Sequence, residues 1–443
     1  MKPKDMQMMW RRLADGARYS GALRTWAARG LWCRARVARR GSTRLALLSR
    51  AVSLADGAAA WRPMLRALQA AGEGTGDTVW RAALRARSRL PEVVKKQPAL
   101  TRTVVLKAPG APGEKGVLLT YFEYNLCRLL LMPAAELRWL AEHYEILFAA
   151  SWCPTDYALL GLGCALLPDG FWIQPANEAE RERLTEFHPG LRCLPGLACD
   201  WVDAQFYQPK PWSERTVDIL MVANWGGFKR HWDFFHALTR MPPQLRIVLV
   251  GQNEGGVTQQ HIRKLAADIG VPQELEIRQS ISIEEVTRLQ CDSRISTVLS
   301  RREGGCVALV ESLFAGCALA VREDACIGAA AHVNERTGMR LRPGHLAEDY
   351  MELLRRGPRL DSASWARENV SCHRTLEKVQ QALRVDAAAQ GRPWTRDLAL
   401  PHWRPHPVLA HAEDRAALLP AYAELHARFP RVFPLDLITA SAA

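Results

Sequence analysis

Residues 295–321 read ISTVLSRREGGCVALVESLFAGCALAV, and their reading decides the architecture. ISTVLS (295–300) is a strand, VALVESLFAG has the length and composition of a helix ended by Gly316, and ALAV (318–321) is a second strand. Neither strand alternates apolar with polar residues, so both faces are to be covered. That calls for a parallel sheet with helices on either side.

The same rhythm extends upstream. VDILMVA (217–223), RIVLVG (246–251) and LEIRQ read as strands, and WDFFHALTR, TQQHIRKLAADIG and SIEEVTRLQ as the helices that follow them. Ser282 and Glu285 form a capping box at one helix start. Shorter β-favouring runs occupy 103–106, 116–122, 145–149, 171–174 and 191–194, the mark of a second, smaller α/β domain. PKPWSER (209–215), with its two prolines, reads as the linker. The expected organisation is a helical extension over 1–98, one Rossmann-like domain over 99–208, another over 209–390, and a closing segment with an amphipathic helix over 391–443.

At 443 residues the chain is too long for a single core. It shows no apolar run long enough to span a bilayer and no secretory signal pattern, which places it in the cytoplasm. Eleven cysteines without a C-x-x-C pair argue against a disulfide framework or a zinc knuckle, and no metal is expected. His402, His406 and His411 have no ligand spacing, GLGCAL (161–166) lacks the third glycine of a dinucleotide fingerprint, and no Walker loop or G-x-S-x-G elbow occurs.

The net charge of +13 is uneven. Residues 1–98 hold 21 Lys and Arg against 6 Asp and Glu, whereas the rest hold 38 against 40. Trp10, Trp26, Trp32, Trp61 and Trp80 are interleaved with this charge. The pattern suits an interfacial helix on an anionic membrane, peripheral on its inner face, and equally a solvated helical extension; no aromatic-stacking module supports nucleic acid.

In parallel α/β sheets ligands bind where strands end and helices begin. Two such junctions carry chemistry. After VDILMVA the chain reads NWGGFKRHW, placing Lys229 and Arg230 at a helix start, where cations oppose the helix dipole by about 0.3–1 kcal/mol unless an anion sits between them. After ISTVLS, Glu303 precedes Gly304 and Gly305, which allow close backbone approach, and Glu311 falls in the second turn of an apolar helix. A carboxylate among Val307, Leu309, Val310 and Leu313 needs hydroxyl or amide donors, and sugar or ribose hydroxyls would supply them.

The E-x7-E arrangement of Glu303 and Glu311, with the Lys-bearing loop about seventy residues earlier, resembles the retaining family 4 glycosyltransferases, which have the GT-B fold: two Rossmann-like domains facing a cleft. The likeness covers roughly 103–390 and is strongest over 200–345. It implies transfer of a sugar from a nucleotide diphosphate to a hydroxyl with retention, no separate cofactor, and a saccharide or lipid-linked acceptor in the synthesis of a cell-envelope or exported polysaccharide. A silent GT-B scaffold serving assembly is the alternative. By the resemblance Lys229 binds the diphosphate, Glu303 contacts the transferred sugar, Glu311 holds the ribose, and the backbone of Gly304, Gly305, Cys306 and Val307 cradles phosphate. Arg230, Asn224 and Gly251 complete the expected substrate-binding set. The chain departs from the family at Asn224, where an Arg is often found, and at Ser312, where Ala is usual. For the general base, His143, His188 and Asp156 are the candidates in the first Rossmann-like domain.

Overall fold

The computed structural model describes residues 3–88, 90, 103–404 and 407–433. The chain divides into two compact units: Cys199–Arg374 with Met1–Arg11, and Arg12–Ala198 with Thr375–Ala443. The expected boundary near 98 lies outside the described residues.

Among the described residues five helices come first: α1 (Pro3–Tyr19), α2 (Gly21–Arg36), α3 (Gly41–Leu54), α4 (Ala58–Gly72) and α5 (Asp77–Arg87). Then follow β1 (Thr103–Lys107), β2 (Gly116–Tyr121), α6 (Glu123–Leu130), α7 (Ala134–His143), β3 (Tyr144–Ala149), α8 (Tyr157–Leu166), β4 (Phe171–Gln174), α9 (Glu178–Phe187) and β5 (Leu191–Cys193). These strands form one sheet in the order β1-β2-β3-β4-β5, parallel except for the antiparallel β1–β2 pair. From Arg12 onward the helical extension is part of this five-stranded unit. Ser53 Oγ donates to the Thr155 carbonyl (2.9 Å), and Arg183 Nη1 and Nη2 donate to the carbonyls of Val52 (3.1 Å) and Ala55 (2.9 Å), closing the end of α3 onto the α/β core.

The second series is β6 (Val217–Val222), α10 (His231–Leu238), β7 (Ile247–Gly251), α11 (Gln259–Ile269), β8 (Leu275–Gln279), α12 (Ile283–Cys291), β9 (Ser293–Val298), α13 (Val307–Phe314), β10 (Ala318–Arg322), β11 (Gly338–Leu341), α14 (Leu346–Arg356) and α15 (Ser362–Asn369). Its six strands are all parallel, in the order β11-β10-β9-β6-β7-β8. Alternate residues of each strand serve opposite layers. Ile219, Met221, Ile247 and Leu249 pack with Phe234, Phe235 and Tyr350 on one side. Val217, Leu220, Val248 and Val250 pack with Val286 and Leu289 on the other. Both layers are buried and apolar, which is why these strands read as continuous apolar runs.

The chain then returns through α16 (Cys372–Ala389) to the five-stranded unit, adds a β12 (Pro401–Trp403) and β13 (Pro407–Leu409) hairpin, and ends its described part after α17 (Ala412–Arg428). Tyr422 on α17 accepts the Val105 amide at 2.8 Å, fixing that helix against β1.

One expectation fails. Residues 209–215 are not a linker but are built into the six-stranded unit. Arg215 is buried and its Nη1 donates to the carbonyls of Ser293 (2.9 Å) and Gly316 (2.6 Å), while Lys210 pairs with Asp292 at 2.7 Å. These bonds give the carbonyls at the start of β9 and just past the end of α13 a buried cationic donor. Among the described residues, no helix is long and apolar enough to cross a membrane. The cysteines are all free thiols.

Candidate functional site

The six-stranded sheet changes direction at β6. From it the chain moves outward to β7 and β8, then returns to β9 on the other side, so β6 and β9 are neighbours whose following loops diverge. A crevice opens at such a switch point in doubly wound sheets. The loop after β6 carries Lys229 and the loop after β9 carries Glu303. The two side chains meet as an ion pair from Nζ to Oε1. Lys229 is buried, and burial alone would lower its pKa. The Glu303 carboxylate and its hydrogen bond outweigh that, so the net shift is upward and the side chain stays cationic through neutral pH. Glu303 uses only one oxygen here. Its Oε2 is buried without a hydrogen-bond partner among the described residues, and such an atom costs about 1–3 kcal/mol unless something donates to it.

Backbone geometry marks the same end of the sheet. Among the described residues, four non-glycine residues have positive φ: Phe122, Arg230, Ser280 and Cys306. Three follow β6, β8 and β9 of the six-stranded unit, and the fourth follows β2 of the other. Residues held there cost about 1–3 kcal/mol each and cluster at functional sites. Arg230 (φ 61°) and Cys306 (φ 57°) are the N-caps of α10 and α13, and neither helix start is capped by a side chain. The third amide of each helix, at Asp233 and Leu309, turns back on its N-cap carbonyl (2.9 and 3.0 Å), and the two amides before it precede the intrahelical ladder.

The loop after β9 is braced from below. A Cβ on Gly305 would come within 2.7 Å of the Cys199 Cβ, so this position accepts only glycine without a shift. Gly304 and Gly305 accept the amides of Gly328 (2.8 Å) and Ala329 (2.9 Å) through their carbonyls. Cys199 belongs to a buried group with Asp200 and His332, in which His332 Nε2 lies 2.8 Å from Asp200 Oδ1, and the ligand-type atoms of the three lie within 4.8 Å of one another. Nothing in the local sequence advertises this cluster, which joins residues 132 positions apart. The Cys306 thiol is pushed up to about 12 by burial and then by the Glu303 charge, so it is a neutral packing group at neutral pH.

The other expected residues have distinct placements. Glu311 is buried on α13, and its Oε2 accepts from Gln290 Nε2 at 3.4 Å. Val307 is the first residue of α13. Arg230 is buried and donates to Asp233 at 2.7 Å. Asp233 also takes Arg322 at 2.9 Å, and Arg322 reaches Asp324. Arg230 therefore belongs to an ion network beneath the loop. Asn224 turns inward on its own loop: its Oδ1 accepts the Gly226 amide (3.2 Å) and its Nδ2 reaches Glu254 (3.5 Å). Gly251 makes room for packing, since a Cβ there would come within 2.7 Å of the Trp225 ring. Trp225 in turn donates to Gln279 at 3.2 Å.

His231 was not among the expected residues. It is the first residue of α10, packed edge-on to Trp225 with centroids 5.5 Å apart, and its Nε2 is buried without a partner among the described residues. Burial, and then the Lys229 charge, lower its pKa to about 3, so it stays neutral beside the ammonium. The sequence signal was only its place after Lys-Arg at a helix start. In the five-stranded unit the three general-base candidates have structural partners. Asp156 caps α8 by accepting the amides of Ala158 and Leu159, His143 bonds the Trp139 carbonyl at 2.7 Å, and His188 meets the Gly190 amide at 3.0 Å. Of the three distal histidines, His406 lies outside the described residues.

No protein-family model matches the chain, and no curated protein matches it. Among solved structures it is similar to sucrose-phosphate synthase from Thermosynechococcus elongatus, at 15% identity over 62% of this chain and 74% of that one, with a TM-score of 0.48. It is similar to Anabaena Alr3699/HepE in complex with UDP, at 12% identity over 68% and 82%, TM-score 0.47. It is also similar to the pneumococcal O-GlcNAc transferase GtfA in complex with UDP and GlcNAc, at 12% identity over 57% and 54%, TM-score 0.43. Likenesses this distant assign no residue here a role.

Proposed function

We propose that this chain is a retaining glycosyltransferase of the family 4 type, moving a sugar from a nucleotide diphosphate to a hydroxyl acceptor. The observation that carries the reading is the meeting of Lys229 and Glu303 at the β6/β9 switch point, with one Glu303 oxygen left for another donor. Negative charge builds on the departing diphosphate in such a transfer, and a fixed ammonium with two uncapped helix starts meets it without reorganisation. Glu303 Oε2 accepts a hydroxyl of the transferred sugar. Glu311, held by Gln290 in an apolar helix, takes the ribose hydroxyls. Glu303 Oε1 and a bound diphosphate compete for the Lys229 ammonium, so donor binding releases Oε1 in addition to the already unpartnered Oε2. No residue of the five-stranded unit is assigned as general base, and the acceptor, a saccharide or a lipid-linked precursor of an envelope or exported polysaccharide, is set by the resemblance alone.

One observation favours a second reading, a silent scaffold: Asn224, at the position where the family often has Arg, is spent closing its own loop. Incubation with UDP- and GDP-sugars separates the two. Slow release of free sugar from one of them, abolished in Glu303→Ala, supports the enzyme. Binding without turnover in any acceptor mixture supports the scaffold.

A further inference from the structure

An ordinary surface helix turns its large apolar residues inward. α2 does the reverse. It buries Ala28 and Ala35, while Trp26 is 76% exposed, Leu23 52%, and Val37, just past its end, 80%. With Ala27, Gly30 and Cys33, which are also exposed, these residues follow the i, i+3, i+4, i+7 spacing and form one outward stripe. Nor is this the loose helix of an unpacked extension, since the bonds from Arg183 and Thr155 tie α3 to the core and α2 packs along α3. Of the ten exposed large hydrophobic residues among those described, six fall between Met9 and Val37.

The charge around the stripe selects its occupant. Between Asp15 and Asp56 the sequence holds nine arginines and no acidic residue. Arg29 and Arg36 flank the stripe on one side and Arg34 lies within it, all three exposed. A second copy of this face would bring like charges together. A neutral protein partner would leave the arginines unmatched. A surface with an apolar interior and anionic headgroups satisfies both halves of the pattern.

We propose that α2 seats this protein on anionic membranes, with Leu23, Trp26 and Val37 entering the headgroup boundary and Arg29, Arg34 and Arg36 contacting lipid phosphates. The structure thereby favours one of the two readings that the sequence left open for residues 1–98. The inference is independent of the donor site.

The test is co-sedimentation of the full chain with phosphatidylcholine vesicles, with and without phosphatidylglycerol. Binding is expected only with the anionic lipid, falling with salt and accompanied by a blue shift of tryptophan fluorescence. Leu23→Ser with Trp26→Ser weakens it at least about tenfold, and Arg29→Gln by about fivefold, both at unchanged melting temperature. Equal binding to neutral vesicles, binding unaffected by these substitutions, or a dimer dissociated by them would overturn the proposal. So would an anionic lipid surface that loses the protein to a competing duplex oligonucleotide.

Discussion

Two lysine–glutamate pairs, Lys107–Glu114 in the five-stranded unit and Lys229–Glu303 in the six-stranded one, are built differently. In the five-stranded unit, Lys107 and Glu114 meet at 2.7 Å with side chains 2% and 1% exposed. Glu114 also accepts the Thr395 amide (2.8 Å) and hydroxyl (2.6 Å), and Lys107 lies 3.7 Å from the centroid of the Trp394 ring. Burial raises the Glu114 pKa, but these donors outweigh it and hold the carboxyl at about 2. Burial lowers the Lys107 pKa despite its partner. The ammonium bears the desolvation cost, and the carboxylate, with its donors, is the end that gains. The pair of the six-stranded unit has one bond, one carboxylate oxygen without a partner, and 19% exposure at Glu303. A saturated pair closes a structure. An unsaturated one, on loops at a switch point, leaves an oxygen for a further donor.

Breaking each pair should therefore give different losses. Glu114→Ala strands a buried ammonium and should lower unfolding stability by about 3–5 kcal/mol, read by urea denaturation. If stability is unchanged, the contrast is void. Lys229→Ala should change stability less and instead reduce donor turnover by about 10²–10³, in kcat. Glu311→Gln keeps the shape of its side chain but halves its accepting capacity toward hydroxyls. Its donor KM should rise by about tenfold, as for loss of one hydrogen bond to a charged group. The smallest effect is the pH response. Glu114, depressed to about 2 from an ordinary 4.5, contributes stability that is present above pH 4.5 and fades as pH falls toward 2. Lys229, raised above 10.5, keeps its charge throughout that range and loses it only as pH rises past its raised value. Acid should thus weaken the five-stranded unit's pair while leaving the Lys229 ammonium charged.

The same contrast explains what the sequence disclosed. Strands β6, β7, β9 and β10 were legible because both their faces are buried and apolar. β11 was not, since GMRL is four residues long and carries a charge, and the β12–β13 hairpin opens each strand on proline. The segment around Arg215 read as a linker because prolines mark breaks, whereas its role depends on carbonyls from residues 78 and 101 positions away. At the site, Lys229 and Glu303 were legible from their place between strand and helix. The positive φ of Cys306, the burial of His231 and the Arg230–Asp233–Arg322 network were not: a single φ and the burial of one ring leave no mark in composition or period, and Arg322 joins its network from 89 positions away.

The central claim is that an open ion pair at the β6/β9 switch point receives a nucleotide diphosphate. Calorimetric titration of uridine and guanosine diphosphates into the native chain and into Lys229→Ala tests it most directly. The account predicts that one nucleotide binds the native chain and binds the variant at least about tenfold more weakly, as for a lost charged contact. Equal binding by both chains, or none by the native one, would contradict it.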